Sequence, residues 1–339
     1  MSQIIRTLIE SYPLQVQNAI ELGRSQRIKI LSEEIRHIAI AGLGGSGIGG
    51  SLVKMLTAQS LSLPLEVLKS YDVPAWIDSH TLLIASSHSG NTEETLTVAQ
   101  IAAQRGAKII AITTGGKLEA MAKTNGWGLV LMPFEHPCPR QYLAYSLVQQ
   151  LWVLVHARLI SSSFVDDLAE GANFVKTVFA EGALPQQAEK MAQECKDRLV
   201  FIYADERLAA LAVRFQQQLN ENAKQIAHVN VFPEMNHNEL VGWRLPEEIL
   251  SRSVVFLLRS QYNHPRVETR LELCHSIFQQ RAAKVLNIFL QGSSLLAQTL
   301  YFIHLTDWIS YFLAQINGVD AYEIDVIHQL KNQLAKQEA

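Results

Sequence analysis

Apolar runs of five or six residues alternate with longer stretches of helical period along most of this chain, and that rhythm limits the fold more than any other feature. Parallel strands cannot be joined by tight turns, so each needs a crossover, usually a helix, and the alternation of the two is the mark of a parallel α/β sheet. A first series of strands is expected at His37–Gly42, Leu65–Lys69, Thr81–Ser86, Lys108–Thr113 and Gly128–Met132. Helices are expected from about Ser46, from Thr92 and after Arg140. A second series, Leu199–Ala204, Val254–Leu258 and Val285–Leu290, follows a helical stretch at about 160–195 and is separated by helices at about 207–224 and 265–282. Helices at 294–316 and about 322–337 close the chain, and residues 1–17 form an amphipathic helix at its start. The strands are nearly continuous apolar runs, as required when helices cover both faces. The expected fold is two three-layer α/β/α domains of flavodoxin-like type with parallel sheets, over residues 1–160 and 161–339, plus terminal helices.

The bulk properties exclude several classes. With 339 residues, 48% hydrophobic and 18% charged, the chain can bury two ordinary cores. A formal net charge of −3 gives no general attraction to nucleic acid or anionic lipid, so any positive potential must be local. Cys138, Cys195 and Cys274 are scattered and form no CxxC pair, which argues against a disulfide framework or a thiolate metal site. No apolar run approaches membrane-spanning length, and residues 1–17 lack the pattern of a signal peptide, so a cytoplasmic protein is expected.

Two turns at strand ends carry the first chemistry. The first strand runs into GLGGSGIGG at 42–50, where glycines let backbone N–H groups approach a ligand and the following helix adds partial positive charge. The same stretch fits G-x-G-x-x-G, so a dinucleotide site, with Asp72 as its acid, is a rival for this turn alone. The third strand runs into SSHSGNTEET at 86–95, which brings Ser87, Ser89 and Thr92 to a helix N-terminus. Hydroxyls and helix N–H groups together can hold a phosphomonoester without lysine or metal. Helix capping by Asn91 or Thr92 is the plainer account, but it leaves the Ser-x-Ser-Gly run unexplained. The pairing of GGSGI with SxSGNTxET resembles the sugar isomerase (SIS) domain, whose second-loop serines and threonine hold a sugar phosphate. The second series offers only Arg259-Ser260-Gln261-Tyr262 after its middle strand, a poor phosphate loop, so one phosphate site per chain is expected.

Three further places could supply chemistry. Glu221 lies in NENAK at 220–224, near the end of an amphipathic helix, where alone it would read as a solvated residue. PEMNHNELVGW at 233–243 is dense in polar groups; Glu234, His237 and Glu239 allow a metal site, but no second histidine falls at ligand spacing. Arg140 follows Cys138-Pro139 at the start of a long helix, with an ordinary surface arginine as the alternative.

Together these stretches, with VDAYEIDVIHQLKNQL near the C-terminus, resemble the bifunctional phosphoglucose/phosphomannose isomerase family over nearly the whole chain. The resemblance implies an aldose–ketose isomerase acting through a cis-enediol on glucose, mannose and fructose 6-phosphates, with no cofactor and no metal. It implies Glu221 as the base that shuttles the C1/C2 proton, and Arg140 as the cation that stabilises the enediolate and holds that base. His237 and Lys331 would assist ring opening, and Gly45, Ser46, Ser87, Ser89 and Thr92 would bind the phosphate. It also implies a homodimer, with His237 contributed across the interface. Two positions depart from the pattern. His88 stands where relatives often have tyrosine and could tune the site or add charge near the phosphate, and Val319-Asp320-Ala321-Tyr322 replaces a common Asp-Pro, which bears on Lys331. A non-catalytic sugar-phosphate sensor would usually carry a DNA-binding helix-turn-helix, and the first 35 residues supply no basic recognition helix. An isomerase of arabinose or sedoheptulose phosphates fits NENAK and NHNEL less well.

Overall fold

The computed structural model describes residues 2–26, 28, 34–134 and 138–337. In chain order the elements are α1 (Ser2–Glu10), α2 (Tyr12–Ser25), β1 (His37–Ala41), α3 (Gly44–Thr57), β2 (Leu65–Leu68), β3 (Thr81–Ser87), α4 (Glu93–Gln104), β4 (Lys108–Thr113), α5 (Gly116–Asn125), β5 (Gly128–Leu131) and α6 (Leu143–His156). They continue as α7 (Ser163–Ala180), α8 (Ala183–Cys195), β6 (Leu199–Asp205), α9 (Ala209–Ala223), β7 (Ala227–Phe232), α10 (Glu239–Gly242), α11 (Glu247–Leu250), β8 (Ser253–Arg259), α12 (Pro265–Gln279), β9 (Lys284–Phe289), α13 (Leu295–Ile316) and α14 (Asp325–Gln337).

The chain divides into two compact units. The N-terminal unit is Ser11–Thr177 with Gln291–Tyr301, and the C-terminal unit is Met1–Glu10, Val178–Leu290 and Phe302–Ala339. The partition falls inside α7 and α13, and each unit borrows a segment from the far end of the sequence.

The N-terminal unit holds a five-stranded parallel sheet in the order β2-β1-β3-β4-β5. Side chains alternate across it, as a strand's period of two requires. Ala39, Ala41, Leu83, Ala85, Ile109 and Ala111 meet Val98, Ala99 and Ala102 of α4 and Leu118 and Ala122 of α5. The intervening residues Ile38, Ile40, Leu82, Ile84 and Ile110 are also buried, on the face covered by α3 and α6. Both faces are thus dry, which is why these strands read as unbroken apolar runs.

The C-terminal unit holds a four-stranded parallel sheet in the order β7-β6-β8-β9. Tyr203, Val255 and Leu257 pack against Phe232, Met235, Trp243, Leu271 and Phe278 on one face. On the other, Phe215 of α9 meets Phe256 edge-on at 5.3 Å and Phe302 of α13 at 6.1 Å. β7 is the strand that the apolar pattern does not predict. It is an edge strand reading AHVNVF, half-buried over most of its length, and its alternating polar residues hide it among loops. The helical stretch expected at about 160–195 is two helices, α7 and α8, separated at Glu181–Gly182. Among the described residues, no helix is long and apolar enough to cross a membrane.

Candidate active site

In a doubly wound sheet the ligand crevice opens where neighbouring strands send their connections to opposite sides, here between β1 and β3. Three segments of the N-terminal unit gather at that end. The first is the glycine turn, where α3 starts at Gly44 directly after β1, with Ser46 N–H and Gly47 N–H both donating to Leu43 O at 3.1 and 3.2 Å. A helix's leading N–H groups have no partners inside the helix, so they face the crevice as an anion-seeking edge. Gly45 makes a close approach of its own. A Cβ there would stand 3.1 Å from Pro139 O and 3.7 Å from the Cα of Arg140. That close approach seats the backbone of Arg140 against the turn, and the Arg140 side chain is 4% exposed.

The second segment follows β3. Thr92 occupies the N-cap position of α4, yet its side chain accepts no capping hydrogen bond. Its hydroxyl lies 2.9 Å from that of Ser87 instead, so capping does not account for the loop's hydroxyls. Ser87 is buried, and Ser89 is exposed and accepts from Asn91 N–H at 3.2 Å. Asn91 braces the loop: its amide donates to Ser89 O at 3.0 Å and its Oδ1 accepts from Lys117 N–H at 3.1 Å. Gly90 has φ +66, and any Cβ there would collide with Gly115 O at 1.8 Å, so this turn tolerates only glycine.

The third segment, a single 3₁₀ turn at Pro139–Tyr142, carries Arg140. Tyr142 stacks on His88 with ring centroids 5.4 Å apart, which ties the turn to the serine loop. His88 is buried, and burial pushes its pKa down to about 4. It therefore brings no positive charge to the loop near neutral pH, contrary to the expectation that it could.

Behind these segments lies a polar cluster that the sequence did not announce. Gln150 of α6 donates to Ser46 O at 3.3 Å, to the Ser86 hydroxyl at 3.3 Å and to the Ser146 hydroxyl at 2.9 Å. One buried amide thus ties α3, β3 and α6 together under both anion loops. The only signal was a pair of glutamines, Gln149 and Gln150, in an otherwise apolar buried helix.

The other candidate residues lie in the C-terminal unit. Glu221 is half-buried in the last turn of α9 and lines a cavity of about 320 Å³ with Asn220, Lys224, Glu323, Ile324 and Ile327. Lys331 is exposed on α14 and is not among the residues that line this cavity. His237 ends the 3₁₀ turn Glu234–His237 after β7 and is exposed.

Most of the polar density of 233–243 is structural. Glu239 accepts from Tyr203, from Asn230 and, at 3.0 Å, from His228, while Trp243 Nε1 donates to Tyr203 at 2.9 Å. Burial pushes the Glu239 carboxyl up, but the hydrogen bonds from His228, Tyr203 and Asn230 outweigh it and leave it below the usual carboxylate range. Asn236 accepts from Arg270 at 3.0 Å, and Asn238 donates to Glu234 at 2.9 Å. Glu239 is therefore a brace for the segment that presents His237, not a spare metal ligand.

The fold and the anion loops define a class, that of proteins built from two SIS domains. The SIS domain family matches residues 30–154, and the family described as bacterial phospho-glucose isomerase C-terminal SIS domain matches residues 185–334. The chain is 36% identical over 335 residues to the bifunctional phosphoglucose/phosphomannose isomerase of Caldicellulosiruptor bescii, covering 97% of this chain and 98% of that one. It is 33% identical over 300 residues to the enzyme of the same name from Aquifex aeolicus, covering 88% of this chain and 90% of that one. In fold it is similar to the C-terminal domain of glucosamine-fructose-6-phosphate aminotransferase from Francisella tularensis, with a TM-score of 0.73, 15% identity and coverage of 94% and 98%. The chain belongs to the bifunctional phosphoglucose/phosphomannose isomerase family.

Proposed function

We infer that this chain is an aldose–ketose isomerase that interconverts glucose 6-phosphate or mannose 6-phosphate with fructose 6-phosphate through a cis-enediol. The observation that carries the reading is the Ser87–Thr92 hydroxyl pair, turned away from capping α4 and set beside the glycine turn of α3. Near-complete coverage by isomerases of the same family supports it.

In this reading Gly45 and Ser46, with the hydroxyls of Ser87, Ser89 and Thr92, hold the phosphate dianion. Fixing that end of the substrate turns proton transfer at C1 and C2 into a local event. Glu221 takes the proton from one carbon and returns it to the other, and Arg140 offsets the charge that develops on the enediolate oxygens. His237 and Lys331 open the sugar ring. Residues 1–160 supply the phosphate domain and 161–339 the base.

A homodimer in the cytoplasm completes the assignment, with His237 reaching the partner's site. Val241 and Leu245, close to His237 in sequence, are 72% and 77% exposed, as expected of an interface. Coupled assays with glucose 6-phosphate and mannose 6-phosphate test the activity, with Glu221→Gln as the control. Absence of turnover of both sugars by the wild-type protein would sink the reading.

A further inference from the structure

Lys224 ends α9 in a conformation that costs a lysine. It has φ 54 and ψ 33, the left-handed region, at the position after a helix where glycine is favoured. Its side chain shows what is gained in return. The ammonium donates to Glu221 O at 2.8 Å, Asp320 O at 2.7 Å and Glu323 O at 2.6 Å, with the Glu323 carboxylate 3.9 Å away. An ammonium has three N–H donors, and all three are matched.

The three carbonyls belong to two segments far apart in sequence. Glu221 lies on α9, and Asp320 and Glu323 form the turn that leads into α14. Asn317 adds a second tie between them, donating to Ala223 O at 3.1 Å and to Gln225 Oε1 at 3.0 Å. The cavity beside Glu221 has Asn220, Glu221 and Lys224 on one wall and Glu323, Ile324, Val326 and Ile327 on the other. Lys224 bridges the two walls.

We propose that Lys224 is a positioning residue of the isomerase site: its three-carbonyl clamp fixes the separation between the helix end that carries Glu221 and the turn that launches α14. The proposal rests on the isomerase assignment of Glu221. Lys224 touches no substrate atom in this role. It sets where the carboxylate stands and how the opposite wall closes the cavity.

Lys224→Gly separates this from simple helix capping, because glycine suits the left-handed position better than lysine and removes only the clamp. Lys224→Met keeps the stem and removes the ammonium. Both variants are expected to keep the melting temperature of the wild type within a few degrees while kcat falls roughly ten- to a hundredfold and KM moves less than about threefold. Hydrogen exchange over residues 320–334 should accelerate in both. A Lys224→Gly protein with wild-type kcat overturns the proposal, as does unchanged exchange in that segment. If the wild type itself turns over neither sugar phosphate, the isomerase assignment fails, and the exchange measurement still decides whether the clamp exists.

Discussion

Between β1 and β3 of the N-terminal unit the crevice is lined by glycine N–H groups and by the hydroxyls of Ser87 and Thr92. Between β6 and β8 of the C-terminal unit, the corresponding crevice is filled by the chain itself. Asp205, 2% exposed at the end of β6, accepts from Arg207 N–H at 3.0 Å and from His264 N–H at 2.7 Å. These two N–H groups follow β6 and β8, as those of the anion loops follow β1 and β3. The carboxylate stands between the segments that follow β6 and β8. Arg259, the last residue of β8, is spent on Glu268 and Glu272 and on Asn287 at 3.3 Å. Two parallel sheets that share the order of their first four strands therefore differ in whether the polypeptide places its own carboxylate at the crevice.

This contrast divides labour between the units, and the sharpest way to break it is to separate binding from chemistry. Glu221→Gln should lower kcat about a thousandfold, within the range for loss of a general base, and leave sugar-phosphate affinity nearly unchanged. Coupled assay and equilibrium binding measure the two effects, and a comparable loss in both would erase the distinction.

The next effect is one of pH, because each unit buries a histidine. Burial pushes His88 to about 4 and His304 to about 3, from an ordinary value of 6.5. Both are neutral in the native state, so between pH 6.5 and those lower values the unfolded chain binds the extra protons and stability falls as pH falls. The His88 contribution is complete above about pH 6.5 and lost by about pH 4, to the extent of about 3 kcal/mol. Denaturant titrations across this range should show the slope, and His88→Phe should flatten its upper part. If His88→Phe leaves that slope unaltered, His88 is not buried as described.

Asp205→Ala should cost about 2 kcal/mol by removing the charged acceptor shared by Arg207 N–H and His264 N–H, without weakening sugar-phosphate binding in the other unit. Thermal denaturation and binding on the same sample test both halves of the statement. Ser87→Ala should weaken sugar-phosphate affinity about tenfold, as expected for one hydrogen bond to a charged group. Ser260→Ala, in the segment directly after β8 of the C-terminal unit, should change it less than about twofold, within the range of neutral surface substitutions. Equal losses from the two serines would mean that both crevices bind.

The same contrast marks what the sequence could disclose. Strands buried on both faces, such as Ile38–Ala41 and Ile109–Ile112, were plain as apolar runs because no polar residue can interrupt them. β7 was invisible because His228 and Asn230 alternate with apolar neighbours, and their partner Glu239 comes only after the strand ends. The two glycine- and serine-rich turns at the ends of β1 and β3 were legible because glycine, serine and threonine lie adjacent in the chain. The bonds that hold those loops in place were not, because Gln150 acts on Ser46 from 104 positions away. Lys224 was part of a recognised motif, but its carbonyl partners at 320 and 323 carry no side-chain signature at all.

The way the units borrow segments bears on how the chain is made. α1 belongs to the unit that also needs residues 178–290 and 302–339, so it is made long before the segments it docks on. The N-terminal unit in turn lacks Gln291–Tyr301 until residues 178–290 of the other unit have been synthesised; there, Gly171 of α7 lies so close to Ala297 that an added methyl would stand 3.0 Å from that residue's Cα. Vectorial folding of the first unit ahead of the second, the usual order for tandem domains, is therefore blocked at its last step. The N-terminal unit is complete only once residues 291–301 have been made, and the C-terminal unit only once the segment directly after them has, so the two are completed almost together.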